Sequence, residues 1–154
     1  MPADYFSDRI ITNTHLIKGE DLNHHHTLYA GRCVEWCVQT AYIAAENCFN
    51  TPRPLVFMSI RGLAMRSPAR LGDLIQITGG VDYVGDSTIG IRVEAVTVQP
   101  RDGRKTVATG TFLFCTVDEA GNAVRHDLPA FRARNGSAEA SCKEAAREAQ
   151  PNLS

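Results

Sequence analysis

The stretch that most constrains this chain is Asp21–Asn50, DLNHHHTLYAGRCVEWCVQTAYIAAENCFN. It opens with polar and imidazole side chains and passes into about five turns of helix. Cys33, Cys37, Thr40, Ala44 and Cys48 recur every three or four residues and so share one face. Val34, Val38, Ala41 and Ala45 widen that face. So much small apolar surface predicts a helix wrapped by other structure rather than laid on an outside surface. Glu35 stands within it, one turn before Val38, and a carboxylate on a buried helix needs a partner or a chemical task.

The segments around this helix read as strands. Arg9–Lys18, RIITNTHLIK, is short and β-branched. Gly19–Thr27 is a polar loop, and Asn50-Thr-Pro-Arg-Pro stops the helix. Leu55–Arg66 is largely apolar, with Arg61 and Arg66 as exceptions. Leu74–Val84 alternates, with Ile75, Ile77, Val81 and Tyr83 on one side; Thr88–Val98 alternates through Ile89, Ile91, Val93 and Ala95. Gly85-Asp86 between them is a tight hairpin signal. Thr106–Val117 is continuous enough for a central strand. The order is therefore strand, one long helix, then four strands in a meander. One helix cannot cover both faces of a sheet. The simplest solution is a curved antiparallel sheet around the helix, with its remaining face and edges meeting another copy.

Size and composition narrow the class. The chain has 154 residues, enough for one domain with a real core, and 44% hydrophobic and 21% charged residues are ordinary for a globular protein. A net charge of −1 argues against a general nucleic-acid binder. No apolar run approaches the roughly 20 residues that cross a bilayer, and the first residues carry no secretory signal, so the expectation is a cytoplasmic protein without a membrane partner. Cys33, Cys37, Cys48, Cys115 and Cys142 are an odd number, and C-x3-C is neither a zinc nor a redox spacing. They read as buried apolar side chains. The domain is expected over residues 1–132, with a peripheral helix or tail over 133–154, where Ser141 and Glu144 have capping-box spacing.

The chemistry gathers before the helix. Asn23, His24, His25 and His26 precede a helix start, where backbone N–H groups are unpaired and the dipole end is positive. The amides of Ala30 and Gly31 suit a carbonyl oxygen becoming an oxyanion, and Gly31 lets a substrate approach the backbone. Asn23 donates a hydrogen bond without charge, and Glu35 can take a proton from water or attack a carbonyl. These are parts for acyl transfer. Plainer readings stand beside them: Asn23 as a loop former, Glu35 as a structural ion pair with Arg32, Arg61 or Arg66, Arg61 and Arg66 as solvated strand-end residues, and Trp36 as core or interface. The triple histidine suggests a metal, but neighbouring side chains diverge and no downstream set has ligand spacing, so no metal is expected.

The stretch from Asp21 to Gly31, DLNHHHTLYAG, followed by a small-residue helix, resembles the hotdog-fold acyl-CoA thioesterases of the cytosolic acyl-CoA hydrolase branch, which read N-x-x-G-x-x-x-G-G or N-x-H-G-x-x-x-A-G here. Arg66–Asp73, RSPARLGD, resembles the family's R-P-V-x-x-G-D turn, and Val84–Thr88, VGDST, its G-R-(S/T)-S hairpin. The match covers roughly residues 10 to 120. The resemblance implies an α+β hotdog fold: a five-stranded antiparallel sheet wrapped around one long central helix, pairing into a homodimer as the minimum unit, with a tetramer or hexamer beyond it. It implies hydrolysis of an acyl-CoA thioester to free acid and CoA, with no cofactor beyond the coenzyme A of the substrate, at a site between subunits. Carried over by position, Asn23 matches the catalytic asparagine and His25 the motif histidine. The Ala30 and Gly31 amides would bind the thioester oxygen. Arg66, Ser67, Ser87 and Thr88 fall where the family contacts CoA phosphates and pantetheine. This chain departs from the pattern in three places. The usual helix acid is Val38, for which Glu35 is expected to substitute. The motif glycine is His26, and the hairpin arginine is Asp86. Two alternatives follow from these residues: a non-catalytic acyl-CoA-binding hotdog protein, and a hotdog dehydratase or hydratase pairing His25 with Glu35.

Overall fold

A computed structural model of the chain describes residues 5–99 and 103–131. Five strands and one long helix make up these residues: β1 (Ile11–Leu16), α1 (Ala30–Glu46), β2 (Leu55–Met65), β3 (Leu74–Val84), β4 (Thr88–Gln99) and β5 (Gly103–Thr116). The strands form one antiparallel sheet in the order β1-β3-β4-β5-β2. The expected tail over 133–154, with Ser141, Cys142 and Glu144, lies outside the described residues, as do residues 100–102 of the β4–β5 turn.

The sheet departs from the expected meander in one respect. Strands β3, β4 and β5 follow one another, but β2 pairs with β5 at the far edge instead of beside β3. The physical reason lies in β5. Its residues 107–117 are nearly all buried, so a central strand of this kind needs a neighbour on both sides. Strand β2 supplies the second. It reaches that edge with two register breaks, between Phe57 and Ser59 and between Arg61 and Ala64, and Gly62 takes the left-handed φ of 61° between the latter pair.

Helix α1 packs against one face of the sheet. Cys33, Trp36, Cys37, Thr40, Ala41, Ala44 and Ala45 are buried on it, facing Ile75, Ile77, Ile89, Ile91, Val93 and Ala95 of the sheet. The small helix side chains let the backbone approach the strands closely: a β-carbon on Gly79 of β3 would lie 3.4 Å from that of Ala44. Tyr83 does not join Ile75 and Ile77. A bulge between Val81 and Tyr83 turns it to the outer face, where it packs with Leu113 and Met58. The helix ends at Glu46, four residues before Asn50, and the Asn47 amide donates to Ile43 O at 2.9 Å. Cys33, Cys37, Cys48 and Cys115 are buried free thiols, and burial pushes the Cys48 thiol pKa up to about 11.

The sheet does not enclose the helix. Glu35, Gln39, Tyr42 and Ile43 form an exposed stripe along it. Tyr42 and Phe57 stand at that open side, 41% and 42% exposed, with their rings 5.9 and 5.8 Å from the buried ring of Phe114. Among the described residues, no helix is long and apolar enough to cross a membrane.

Candidate active site at the helix start

The loop before α1 is a small closed hairpin. Leu22 and Leu28 form an isolated bridge, the Asn23 amide donates to Thr27 O at 2.8 Å, and the His26 amide donates to Asn23 O at 3.0 Å. The Asn23 side chain ties it further. Its Oδ1 accepts from the amides of His25 and Thr27 at 2.9 and 3.2 Å, and its Nδ2 donates to Thr27 Oγ1 at 3.1 Å. The loop-forming role of Asn23 is therefore real. One Nδ2 hydrogen is left over, because an amide nitrogen carries two.

His26 takes φ 62°. His26 stands where the resembled motif has glycine, and it takes the left-handed conformation that glycine favours. His24, His25 and His26 are all exposed, and the His24 and His25 rings lie 3.9 Å apart, tilted by 43°. His25 makes no side-chain contact with Asn23 or Glu35 among the hydrogen bonds and ion pairs of the described residues. No group of three or more His, Cys, Asp or Glu side chains among the described residues is arranged to hold a metal ion.

The loop docks through Leu28, whose amide donates to Ala69 O at 2.8 Å, onto the turn that follows β2. This docking brings three distant pieces of chain together. Asn23, Leu28, Ala30, Met65, Arg66, Ser67, Pro68, Ala69 and Val107 line one cleft of about 280 Å³. Four of the nine nominated residues thus share a wall: Asn23 from the loop, Ala30 from the helix start, and Arg66 and Ser67 from the end of β2. Met65 and Val107 line it as well, and nothing in the sequence short of the β2–β5 pairing signals them.

The N-cap residue of α1 is Tyr29, whose side chain makes no capping hydrogen bond, and none to the first-turn amides is found among the described residues. The first-turn amides consequently have no intrahelical or side-chain acceptor, which leaves them available to a ligand oxygen. Ala30 faces the cleft just described. Gly31 faces a second cleft, of similar volume, with Glu20, Leu22, Tyr29, Arg32 and Glu35. Gly31 is not bare backbone: a β-carbon there would stand 2.5 Å from the Tyr29 ring, so the tyrosine lies across it. Tyr29 was missed, although an aromatic directly before Ala-Gly at a helix start is a legible signal.

Glu35 is not the buried acid that the apolar helix suggests. Its side chain is 52% exposed, because position 35 falls on the open stripe of α1, and it forms an ion pair with Arg32 Nη1 at 3.2 Å. Arg32 also faces the buried Asp21, with Nε 3.3 Å from Oδ1. Of the partners expected for Glu35, Arg32 is the one that the geometry supplies. Val38, at the family's acid position, is half-buried and packs against the core.

Ser87 and Thr88 do not join this site within one chain. They lie at the opposite end of β3, about 30 Å away along an 11-residue strand. Both are buried, and the chain itself covers them: the His126 amide donates to Asp86 O, and His126 Nε2 lies 3.0 Å from Thr88 O. Asp86, in place of the family's arginine, faces Arg125 at 3.6 Å.

His15 of β1 stacks on Trp36 with ring centroids 4.4 Å apart and planes 5° from parallel. Burial lowers the His15 pKa from its ordinary value, and the nearby Asp21 charge raises it by less.

No family model matches the sequence, and no curated protein matches it. Solved structures do. The acyl-CoA hydrolase of Staphylococcus aureus, in complex with butyryl coenzyme A, coenzyme A and coenzyme A disulfide, superposes with a TM-score of 0.76 at 18% identity, over 96% of this chain and 90% of that one. The acyl-CoA hydrolase of Bacillus cereus gives a TM-score of 0.74 at 21% identity, over 94% of this chain and 86% of that one. An apo-hexameric acyl-CoA thioesterase also gives 0.74 at 21% identity, over 96% and 92%. Likeness at this identity establishes the fold: the chain is a hotdog-fold protein, one helix held by a five-stranded antiparallel sheet.

Proposed function

We propose that this protein hydrolyses acyl-coenzyme A thioesters to a free acid and coenzyme A. The observation that carries the reading is the uncapped start of α1, opening on a cleft walled by Asn23, Ala30, Arg66 and Ser67. The hotdog-fold neighbours named as acyl-CoA hydrolases support it. In this reading the thioester carbonyl oxygen points at the first-turn amides, and Asn23 Nδ2 donates to the carbonyl or to the attacking water. Glu35 lines the second cleft, on the Gly31 side of the same helix start, and in this reading takes a proton from a water held there as the water oxygen bonds to the carbonyl carbon. The developing oxyanion is stabilised by donors already in position. Collapse of the intermediate breaks the C–S bond, and the leaving thiolate takes the proton back from Glu35. Arg66 beside the cleft suits a phosphate of the coenzyme. A cleft of about 280 Å³ is at the small end for a ligand site and holds the reacting ester with only part of the coenzyme.

The rest of the site is assigned to a second copy of the chain. Tyr42 and Phe57 leave an aromatic seam open beside the unpaired edge of β2, and a homodimer formed there covers both. The dimer brings a partner's strands over the exposed stripe that carries Glu35. Phe57→Asp should then convert the dimer into monomer in sedimentation; a dimer unchanged by it would remove the seam from the interface.

One observation favours a second reading, binding without hydrolysis: Glu35 is half exposed, and Val38 occupies the family's acid position. A screen of acetyl- to palmitoyl-coenzyme A, followed by release of free thiol, separates the two. Thiol release that is abolished by Glu35→Gln supports hydrolysis. Saturable binding with no release overturns it in favour of the second reading.

A further inference from the structure

A glutamate on an open helix face ordinarily samples several rotamers, which is poor equipment for a general base. Glu35 is held by a chain of charges that begins in the protein interior. Asp21 is buried and fixed by backbone on several sides. Its Oδ2 accepts the Lys18 amide at 2.9 Å, its own amide donates to Lys18 O at 3.0 Å, and its carbonyl accepts the Tyr29 amide at 2.8 Å. Arg32, on the first turn of α1, faces Asp21 Oδ1 with Nε and donates from Nη1 to Glu35 Oε2. Two different nitrogens of one planar group are used, so the direction from the interior anchor to Glu35 is fixed by the shape of the guanidinium.

We infer that Arg32 is a positioning residue for Glu35: anchored on Asp21, it engages Oε2 and leaves Oε1 for a water of the second cleft, which Glu35 lines. The inference rests on the proposed role of Glu35 as base. Lysine cannot replace it, because an ammonium is a point charge with no fork to span two carboxylates. Arg32 also pairs with the buried Asp21, so a merely structural role would show as a lowered unfolding midpoint in Arg32→Gln, with kcat per folded molecule almost untouched.

The test is a double-mutant cycle on the full chain, with the fastest substrate of the acetyl- to palmitoyl-coenzyme A series as probe. Arg32→Gln is expected to lower kcat roughly ten- to a hundredfold, with KM changed by less than about twofold. Arg32→Lys should fail to restore it. In a Glu35→Gln background, Arg32→Gln should alter the residual kcat by less than about twofold, because there is nothing left to position. Asp21→Asn keeps an acceptor for Lys18 while removing the charge that anchors Arg32; it should reproduce the kcat loss and serves if Arg32→Gln is poorly folded. An equal loss in both backgrounds, a loss in KM alone, or an undiminished kcat overturns the inference while leaving Glu35 as base. Wild-type turnover in Glu35→Gln removes the base itself, and the inference falls with it.

Discussion

Tyr29 lies across Gly31, its ring filling the space where any larger residue at position 31 would place a β-carbon. Tyr29 is 58% exposed, so the ring can swing away from an intruding methyl group. Alanine is also the better helix former, by about 1 kcal/mol. Gly31→Ala should therefore change stability by less than about 1 kcal/mol. The displaced ring, however, moves within the cleft that Glu35 lines, and kcat/KM is expected to fall roughly tenfold. Calorimetry and a thioester assay check both halves; a large drop in Tm would mean that the ring is pinned.

Asn23 performs two separable tasks, tying the loop through Oδ1 and offering an amide hydrogen to the cleft. Asn23→Asp keeps the acceptor for the His25 and Thr27 amides and removes the donor. Its unfolding free energy should stay within about 0.5 kcal/mol of the parent while most of the turnover is lost. Asn23→Ala should lose about 1 kcal/mol of stability as well, since the two amides lose their acceptor. Chemical denaturation run beside the activity assay decides; full turnover in Asn23→Asp would reduce Asn23 to a loop residue.

His26 stands in a conformation that costs an L-residue about 1–2 kcal/mol. His26→Gly should be neutral or stabilising by up to about 1 kcal/mol, the relief being partly offset by the greater unfolded-state entropy of glycine. His26→Val should be destabilising by about 1–2 kcal/mol, because a β-branched side chain tolerates positive φ poorly. Equal midpoints for all three proteins in urea would contradict the strained turn.

His15 makes stability depend on pH. Its folded pKa lies below the unfolded value of 6.5, because burial against Trp36 opposes the charged form. Below about 6.5 the unfolded chain therefore binds a proton that the folded chain resists. This contribution to stability is complete above the unfolded pKa and is lost as the pH falls through the folded one. His15→Gln should flatten the loss between about pH 7 and 5. Trp36 is the one tryptophan of the chain, so its fluorescence reports the stacked ring directly. Quenching by the imidazolium should show a midpoint below 6.5; a midpoint above that value would reverse the argument.

Much of this architecture is legible in the residues because strands and helices carry their own period. The alternation of Ile75 and Ile77, and of Ile89, Ile91, Val93 and Ala95, marks the face that packs on α1, and all six are buried there. Strand β2 is harder to place. Its pattern, LVFMSIRGLAM, is broken by two bulges, and its place beside β5 depends on which edge a distant strand leaves unpaired. Tyr83 shows the same limit within β3: a single bulge reverses the face that alternation assigns to it.

The sequence by itself determined the elements, the turn before the helix and the small side chains that let the helix settle into the sheet, because each rests on interactions among near neighbours. Tertiary structure alone decided what the charged residues face. It set Glu35 on the open side of α1, joined Arg32 to Asp21 across a loop, brought Asn23 to one cleft with Arg66 and Ser67, and folded His126 over Thr88. The reason is physical: the polarity of a position follows from local periodicity, whereas the partner of a charge follows from how whole elements dock.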